Sequence, residues 1–205
     1  DRAVSELVER ECFLIGYLNR LSYPHVNLAS VNNGWFDELR RVIETDRREL
    51  YVLDGSLDQP YKTAIAILVD RDAEPAVCFG LGCDDRMRTA VQDAILEVFQ
   101  IYEWMTENVV GKNDPVPTDV ASLEDRGQFW NDHEMIGELD FWLDPDNVVP
   151  IETTRETGLD AFRGFLKAND HDCYIADVTS PDVNRAGFTV VRAVVPGMFP
   201  LYLDE

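Results

Sequence analysis

Hydrophobic residues recur every three or four positions from residue 3 to residue 21, which predicts an amphipathic helix at the start of the chain. We expect this helix to end at Ser22-Tyr23-Pro24, because proline cannot continue the helical hydrogen bonds and restricts the residue before it. Residues 35–47 predict a second, shorter helix. The apolar stripe of the first helix is formed by Val4, Leu7, Val8, Cys12, Ile15 and Leu18.

Three runs rich in β-branched residues, 50–53, 63–69 and 76–82, predict strands separated by turn signals. Asp84 and Asp85 follow, and we expect them to cap a long helix that runs to about residue 108. Glycine, asparagine, aspartate and two prolines at 110–119 predict a mobile loop. Further predicted elements are helices at 122–136 and 157–168, a turn at 144–147, and strands at 173–178 and 188–195.

Helices and strands are mixed along the whole sequence, which predicts an α/β or mixed α+β domain rather than a helical bundle or a β-sandwich. We expect mixed sheets packed against long amphipathic helices. A length of 205 residues is typical of one compact domain or two small subdomains. No apolar run reaches the roughly 18 residues that cross a bilayer, and no signal peptide opens the chain, so we expect no membrane partner.

The composition excludes wholesale disorder, since 45% of the residues are hydrophobic and 10% are aromatic. Thirty-nine acidic residues against 18 basic ones give a net charge of −21. This charge argues against nucleic acid as a partner, because lysine and arginine must replace the counterions of phosphate groups. Only three of the basic residues are lysine, a bias that either a saline habitat or a GC-rich genome would produce.

The four cysteines are predicted to be free thiols in a reducing cytosol, which makes the protein cytoplasmic. Cys12 and Cys173 lie within apolar patterns, where a thiol acts as a small hydrophobic group. Cys78 and Cys83 are five residues apart, a spacing that suits neither a CxxC redox pair nor a zinc knuckle. The three histidines are too scattered to complete a metal site.

The first helix carries Glu6, Glu9 and Arg10 within about 100° of one another, roughly opposite the apolar stripe. Two carboxylates three residues apart can share Mg²⁺, and an arginine four residues from Glu6 can orient that carboxylate or clamp a phosphate. A solvated face with one salt bridge is the alternative interpretation. Glu11 falls within the apolar stripe, so it needs a polar partner or an edge position.

The long predicted helix repeats this arrangement of an apolar face and an acidic face. Like charges along its polar side repel one another unless a cation or arginines lie opposite, and a solvated face is again the alternative. The predicted core positions are Met87, Val91, Ala94, Val98, Ile101 and Met105. The polar side is formed by Glu97, Gln100, Glu103 and Glu107.

Several segments together resemble the YcaO family. The opening SELVERECFLIGYLNRLSYPHVNL is similar to that family's Glu-x-x-Glu-Arg-Asp helix, followed by Asn-Arg-Leu and a short strand that contains proline. RTAVQDAILEVFQ resembles its Ala-Leu-x-Glu-x-x-Gln helix, entered from a Gly-x-Gly strand end at 79–82, and SLEDRGQFW resembles a mid-domain helix. IADVTSPDVNRAGFTVVRAVVPGMFPLYLDE is the most specific match, with an Asp-x-Thr-x-Pro-Asp turn, a glycine hairpin and a Val-Pro-Gly-x-x-Pro-Leu strand.

This resemblance implies a YcaO-like fold and an enzyme that uses ATP and Mg²⁺ to activate peptide amide oxygens. The products would be azolines or thioamides on a ribosomal precursor peptide, with a leader-binding partner protein and a homodimer as further expectations. By the resemblance, Glu6 and Glu9 are ligands of Mg²⁺ and nucleotide, Arg10 contacts phosphate, and the two acidic helix faces meet at one site. Glu97 and Gln100 join that site, and Glu103 is a further metal ligand beside Glu6, Glu9 and Glu97.

Two departures from the family pattern predict that residues 1–205 are a partial domain that is inactive alone. The chain begins inside the first acidic helix, without the upstream lysine, serine and Glu-x-x-Glu nucleotide contacts. It stops just after Pro200-Leu201, short of the family's C-terminal tail. A non-catalytic scaffold that docks a precursor peptide or a partner enzyme is the alternative function. A binding module with solvated acidic helices is left if the resemblance is accidental.

Overall fold

The computed structural model describes residues 2–30, 34–44, 48–111, 117, 120, 122–144, 146–151 and 158–199. Two 3₁₀ segments, Leu28–Ser30 and His133–Leu139, join helices and strands within these residues. The helices are α1 (Arg2–Leu18), α2 (Gly34–Glu44), α3 (Met87–Asn108), α4 (Leu123–Asn131), α5 (Asp140–Leu143), α6 (Gly158–Ala168) and α7 (Pro181–Arg185). The strands are β1 (His25–Asn27), β2 (Glu49–Asp54), β3 (Lys62–Val69), β4 (Val77–Asp84), β5 (Val148–Pro150), β6 (Tyr174–Asp177) and β7 (Val191–Val194).

The main sheet has five strands in the order β4-β3-β2-β1-β5. Strands β1 to β4 pair antiparallel, whereas β5 pairs parallel with β1, so the sheet is mixed. Strands β6 and β7 form a separate antiparallel hairpin in which Ile175 faces Ala193. The prediction of a mixed α/β fold with sheets against amphipathic helices is confirmed.

Two glycines of β4 allow the long helix α3 to lie unusually close to the sheet. A Cβ atom on Gly80 would lie 2.1 Å from the carbonyl oxygen of Ala94, and one on Gly82 would lie 2.1 Å from that of Ala90. Since these contacts involve backbone atoms of α3, a larger residue at either glycine would push the helix away. The close packing also places α3 where Glu97 reaches the backbone of Leu81 in β4.

The apolar face of α1 packs against the same sheet, but it follows a narrower line than the sequence pattern predicts. The buried positions recur every four residues: Val4, Val8, Cys12 and Gly16. Gly16 is buried because the ring of Tyr23 lies on it, where a Cβ atom would come within 2.3 Å. The prediction that Leu18 is a core position is wrong, since Leu18 is 60% exposed.

Glu11 has the polar partner that its position in the apolar stripe requires. Its carboxylate accepts a hydrogen bond from the backbone N–H of Phe199. Burial raises the pKa of Glu11, while this hydrogen bond and the nearby His171 act to lower it. The contact ties the last described residue of the chain to α1, and the prediction of a polar partner is confirmed.

Three predicted helix boundaries are wrong. The first helix ends at Leu18, three residues before the predicted end at residue 21. The predicted helix 122–136 is divided, because the Asp132 side chain accepts from the Glu134 N–H at 2.8 Å and begins a new 3₁₀ segment. Asp84 and Asp85 do not cap α3, whose N-cap is Arg86 without a side-chain cap. Asp84 is instead the last residue of β4 and accepts a hydrogen bond from the Arg86 N–H at 3.0 Å.

The cysteines are free, as predicted: Cys12, Cys78 and Cys83 are buried and Cys173 is half-buried. Most of the predicted loop 110–119, along with residue 157 of the predicted helix 157–168 and Pro200-Leu201, lies outside the described residues. In the part of the chain that the structure describes, no helix is long and apolar enough to cross a membrane.

Candidate functional site

An acidic cleft of about 540 Å³ lies where the first turns of α1 meet the end of β4 and the middle of α3. Six carboxylates line this cleft: Glu6, Glu9, Asp84, Asp85, Asp93 and Glu97. The remaining lining residues are Arg2, Ser5, Tyr61, Leu81, Cys83, Leu96, Gln100 and Gly158. The cleft therefore gathers negative charge from three segments that are distant in sequence.

Glu9 is the most strongly perturbed carboxylate of the cleft. Its pKa is raised from the ordinary 4.5 to about 8. Burial is the largest cause of this rise, and the negative charges of Glu97 and Glu6 also contribute to it. Arg10 and Arg2 act in the opposite direction but do not offset burial. A carboxyl group in this environment keeps its proton at neutral pH unless a cation lies beside it.

Glu97 is held in place by the backbone of β4, the edge strand of the sheet. Its Oε2 accepts a hydrogen bond from the Leu81 N–H at 2.6 Å, which joins α3 to β4 across the floor of the cleft. Burial raises the pKa of Glu97, the hydrogen bond from Leu81 lowers it, and the charge of Glu6 raises it again. Because its carboxylate is anchored, Glu97 presents a fixed negative group to the cleft.

Arg10 lies at the edge of the cleft rather than within it. Its guanidinium forms an ion pair with Glu6, one helical turn away on α1. The same charge lowers the pKa values of Glu9 and Glu97, so Arg10 lies within electrostatic reach of both. The single salt bridge that a solvated helix face would carry is therefore present between Arg10 and Glu6, but it lies at the edge of a cleft.

Four of the six residues predicted for the site line one cleft: Glu6, Glu9, Glu97 and Gln100. The structure does not bring Glu103 into it. Glu103 is exposed, and it lies six residues beyond Glu97, which is about 9 Å further along the axis of α3. Within the described residues, no group of three or more His, Cys, Asp or Glu side chains is close enough to hold a metal ion. The predicted set Glu6, Glu9, Glu97 and Glu103 is therefore not a preassembled metal cluster.

Sequence reasoning missed several residues of the cleft. Asp93 had a detectable signal, since it lies four residues before Glu97 and so on the same face of α3. Asp84 and Asp85 were interpreted as helix caps and not as site residues. Tyr61 and Cys83 carried no signal, because Tyr61 immediately precedes β3, Cys83 lies on β4, and the two residues reach the cleft only through the pairing of β3 with β4.

The raised pKa of Glu9 predicts that stability in the absence of a divalent cation falls as the pH rises from about 5 to about 8. In this range the folded protein holds a proton on Glu9 that the unfolded chain has released, so unfolding is favoured by higher pH. The melting temperature should be measured against pH by circular dichroism. Glu9→Gln should flatten the curve, whereas Glu103→Gln removes a carboxylate outside the cleft and should not. Equal slopes in both variants would contradict the burial of Glu9.

The chain matches the family model described as YcaO cyclodehydratase, ATP- and Mg²⁺-binding, over residues 2–199. No curated protein sequence matches it. Solved structures with the same fold include a heterocyclase in complex with substrate and cofactor, with a TM-score of 0.75 and 22% identity over 98% of this chain. YcaO from Methanopyrus kandleri bound with AMPPCP and Mg²⁺ has a TM-score of 0.62 and 24% identity over 95% of the chain. The E. coli microcin synthetase McbBCD complex with pro-MccB17 bound has a TM-score of 0.66 and 14% identity over 92%.

The chain spans only part of these structures: 27% of the heterocyclase, 50% of the Methanopyrus protein and 48% of the microcin synthetase chain. At these identities the structural likeness shows the fold, and the match to the family model shows the family. ATP and Mg²⁺ are the cofactors of that family. With the acidic faces of α1 and α3 meeting in one cleft on this fold, the chain belongs to the YcaO family.

Proposed function

We propose that this chain is part of an ATP- and Mg²⁺-dependent enzyme that activates amide oxygens of a ribosomally made precursor peptide and forms azolines or thioamides on it. The observation that supports this most directly is the acidic cleft that Glu6, Glu9 and Glu97 line together, where the charges of Glu6 and Glu97 contribute to the raised pKa of Glu9. This cleft lies in a member of the YcaO family. That residues 1–205 are a single partial domain remains a prediction, as do the cytoplasmic location and a homodimer.

The residues of the cleft fit a hard divalent cation that carries phosphates. Carboxylate oxygens are the preferred protein ligands of Mg²⁺, which binds through one or two carboxylates and substrate phosphates. The raised pKa of Glu9 indicates that a positive charge is needed beside it. Glu6, Glu9 and Glu97 are the candidate ligands, and one or two of them would hold Mg²⁺ together with phosphate oxygens, whereas Glu103 lies outside the cleft.

Other residues of the cleft would position the reactants. The planar guanidinium of Arg10 can donate two parallel hydrogen bonds to a phosphate at the edge of the cleft. Gln100 supplies both a neutral donor and a neutral acceptor in the lining of the cleft. Bound MgATP supplies an electrophilic phosphoryl group that turns the amide oxygen into a leaving group. This chemistry needs positioning and charge stabilisation more than a strong side-chain base, which suits a cleft of carboxylates and one arginine at its edge.

Magnesium is expected to stabilise the full-length protein at pH 8. For a dissociation constant of ~1 mM, 10 mM Mg²⁺ would contribute ~1.4 kcal/mol, which corresponds to ~3–6 °C in the melting temperature of a domain of about 150–250 residues. Differential scanning calorimetry with MgCl₂ and with NaCl of equal ionic strength separates binding from screening. The double variant Glu9→Gln, Glu97→Gln should lose the response to magnesium. An unchanged melting temperature in MgCl₂ would contradict a cation site, and an equal response to NaCl would favour adaptation to salt.

A non-catalytic scaffold that docks a precursor peptide or a partner enzyme is the alternative function. The separation of the carboxylates in this structure favours it, since no preformed metal cluster is present among the described residues. The retention of Glu6, Glu9, Arg10 and Gln100 around one cleft argues against it. Calorimetric titration of the full-length protein with Mg²⁺ and AMPPCP distinguishes the two, because a scaffold would bind no nucleotide.

A further inference from the structure

Tyr61 lies in the wall of the acidic cleft, immediately before β3 begins at Lys62. Cys83, Asp84 and Asp85 also line this cleft, and so do Glu6 and Glu9 of α1. Only 4% of the Tyr61 surface is exposed, since its ring packs against Phe162 with centroids 5.7 Å apart. The side chain thus belongs to a buried apolar cluster with Val8 and Phe162 and also lines the cleft.

The hydroxyl of Tyr61 is buried and makes no hydrogen bond within the described residues. Its backbone is well held, because the Tyr61 N–H donates to the Gln59 Oε1 at 2.7 Å. Tyr23 provides the contrast within the same chain: it is also buried, and its hydroxyl donates to the Cys12 carbonyl oxygen at 2.8 Å. The unsatisfied hydroxyl of Tyr61 is therefore a local feature and not a general property of tyrosine in this fold.

A buried hydroxyl without a partner destabilises a protein, because it has lost its hydrogen bonds to water and gained none. Phenylalanine would fill the same apolar space without this cost. The penalty would be removed if a bound molecule in the cleft supplied an acceptor. Burial raises the pKa of Tyr61, and the neighbouring Cys83, Asp85 and Asp84 raise it further, so the phenol keeps its proton and remains a donor.

We propose that the Tyr61 hydroxyl donates a hydrogen bond to an oxygen of the ligand bound in the acidic cleft. The acceptor is either a phosphate oxygen of the nucleotide or a carbonyl oxygen of the peptide that is modified. A neutral donor suits both in a cleft lined by carboxylates, because it adds no positive charge that would pair with Asp84 or Asp85 instead. Tyr61 is then a positioning residue, and this role rests on the proposed function.

The test compares Tyr61→Phe with Tyr23→Phe in the full-length protein. Stability is measured by urea denaturation, nucleotide affinity by titration with Mg²⁺ and AMPPCP, and peptide use by phosphate release with synthetic peptides that contain one Cys, Ser or Thr. Tyr61→Phe should leave stability equal or higher and should weaken one ligand about tenfold, which is ~1.4 kcal/mol. Tyr23→Phe should lower stability, because it removes a satisfied hydrogen bond, and should leave both ligands unaffected.

Weaker binding of AMPPCP in Tyr61→Phe assigns the acceptor to the nucleotide. If AMPPCP binding is unchanged but half-maximal phosphate release needs a higher peptide concentration, the acceptor is assigned to the peptide. Unchanged values for both ligands would overturn the proposal, as would a loss of stability as large as that of Tyr23→Phe, since the hydroxyl would then have a partner in the free protein. A parent protein that binds no nucleotide would contradict the proposed function itself, whereas an unaffected Tyr61→Phe variant contradicts only the role of Tyr61.

Discussion

Replacing Glu9 with glutamine in the full-length protein is expected to lower its affinity for MgATP by about ten- to a hundredfold. The change removes one anionic ligand and keeps the shape of the side chain, and charge-assisted contacts are worth roughly 1.5–3 kcal/mol. The same change removes a carboxylate whose pKa is raised to about 8, so the protein without magnesium should become more stable at pH 8. Weaker binding of MgATP together with higher stability of the magnesium-free protein is the result expected of a buried carboxylate that binds a cation.

Arg10→Ala is expected to lower the affinity for MgATP by a similar factor, because a bidentate phosphate contact is lost. Its effect on stability should be small, since the ion pair with Glu6 is solvent-exposed. Calorimetric titration with AMPPCP and ATP turnover with precursor peptide measure both variants. Glu103→Gln removes a carboxylate outside the cleft, as Glu9→Gln removes one inside it, and this control variant should bind MgATP like the parent. Parent-like turnover in Glu9→Gln and Arg10→Ala would mean that these residues form only a charged surface.

Gly80→Ala is expected to cost the protein about 3 kcal/mol or more in its free energy of unfolding. The new methyl group would lie 2.1 Å from the Ala94 carbonyl oxygen and 2.3 Å from the Val98 nitrogen, both of which are backbone atoms of α3. Relief requires a shift of the whole helix, so the cost lies at the upper end of that for overpacked cores. Urea denaturation measures this loss directly.

Gly164→Ala is the matched control, because it makes the same chemical change in the exposed middle of α6. A Cβ atom on Gly164 meets nothing within 4 Å, so alanine should stabilise the protein by about 0.5–1 kcal/mol through its higher helix propensity. A displaced α3 would also move Glu97 away from Leu81, and nucleotide affinity should fall with stability in Gly80→Ala. Equal stability of both variants would show that α3 can move without cost.

The hydrophobic period of the sequence was sufficient to predict α1 and α3, because the buried positions of a long amphipathic helix recur every three or four residues. It also indicated that the polar faces of these helices carry carboxylates, and the family resemblance related the two faces to one site. The pattern failed where a distant contact decides burial. Leu18 belongs to the local stripe, yet Gly16 takes the buried place because Tyr23 packs on it.

The sequence by itself determined the fold class, the free thiols, and four of the residues that line the cleft: Glu6, Glu9, Glu97 and Gln100. Only the tertiary structure decided how the site is completed. The pairing of β3 with β4 brings Tyr61 and Cys83 to the cleft, and the close approach of α3 at Gly80 sets Glu97 against Leu81. The raised pKa of Glu9 depends on burial and on charges that lie far away in sequence. Such proximity is a property of the folded chain, because electrostatic and packing energies depend on distances in space that no local pattern records.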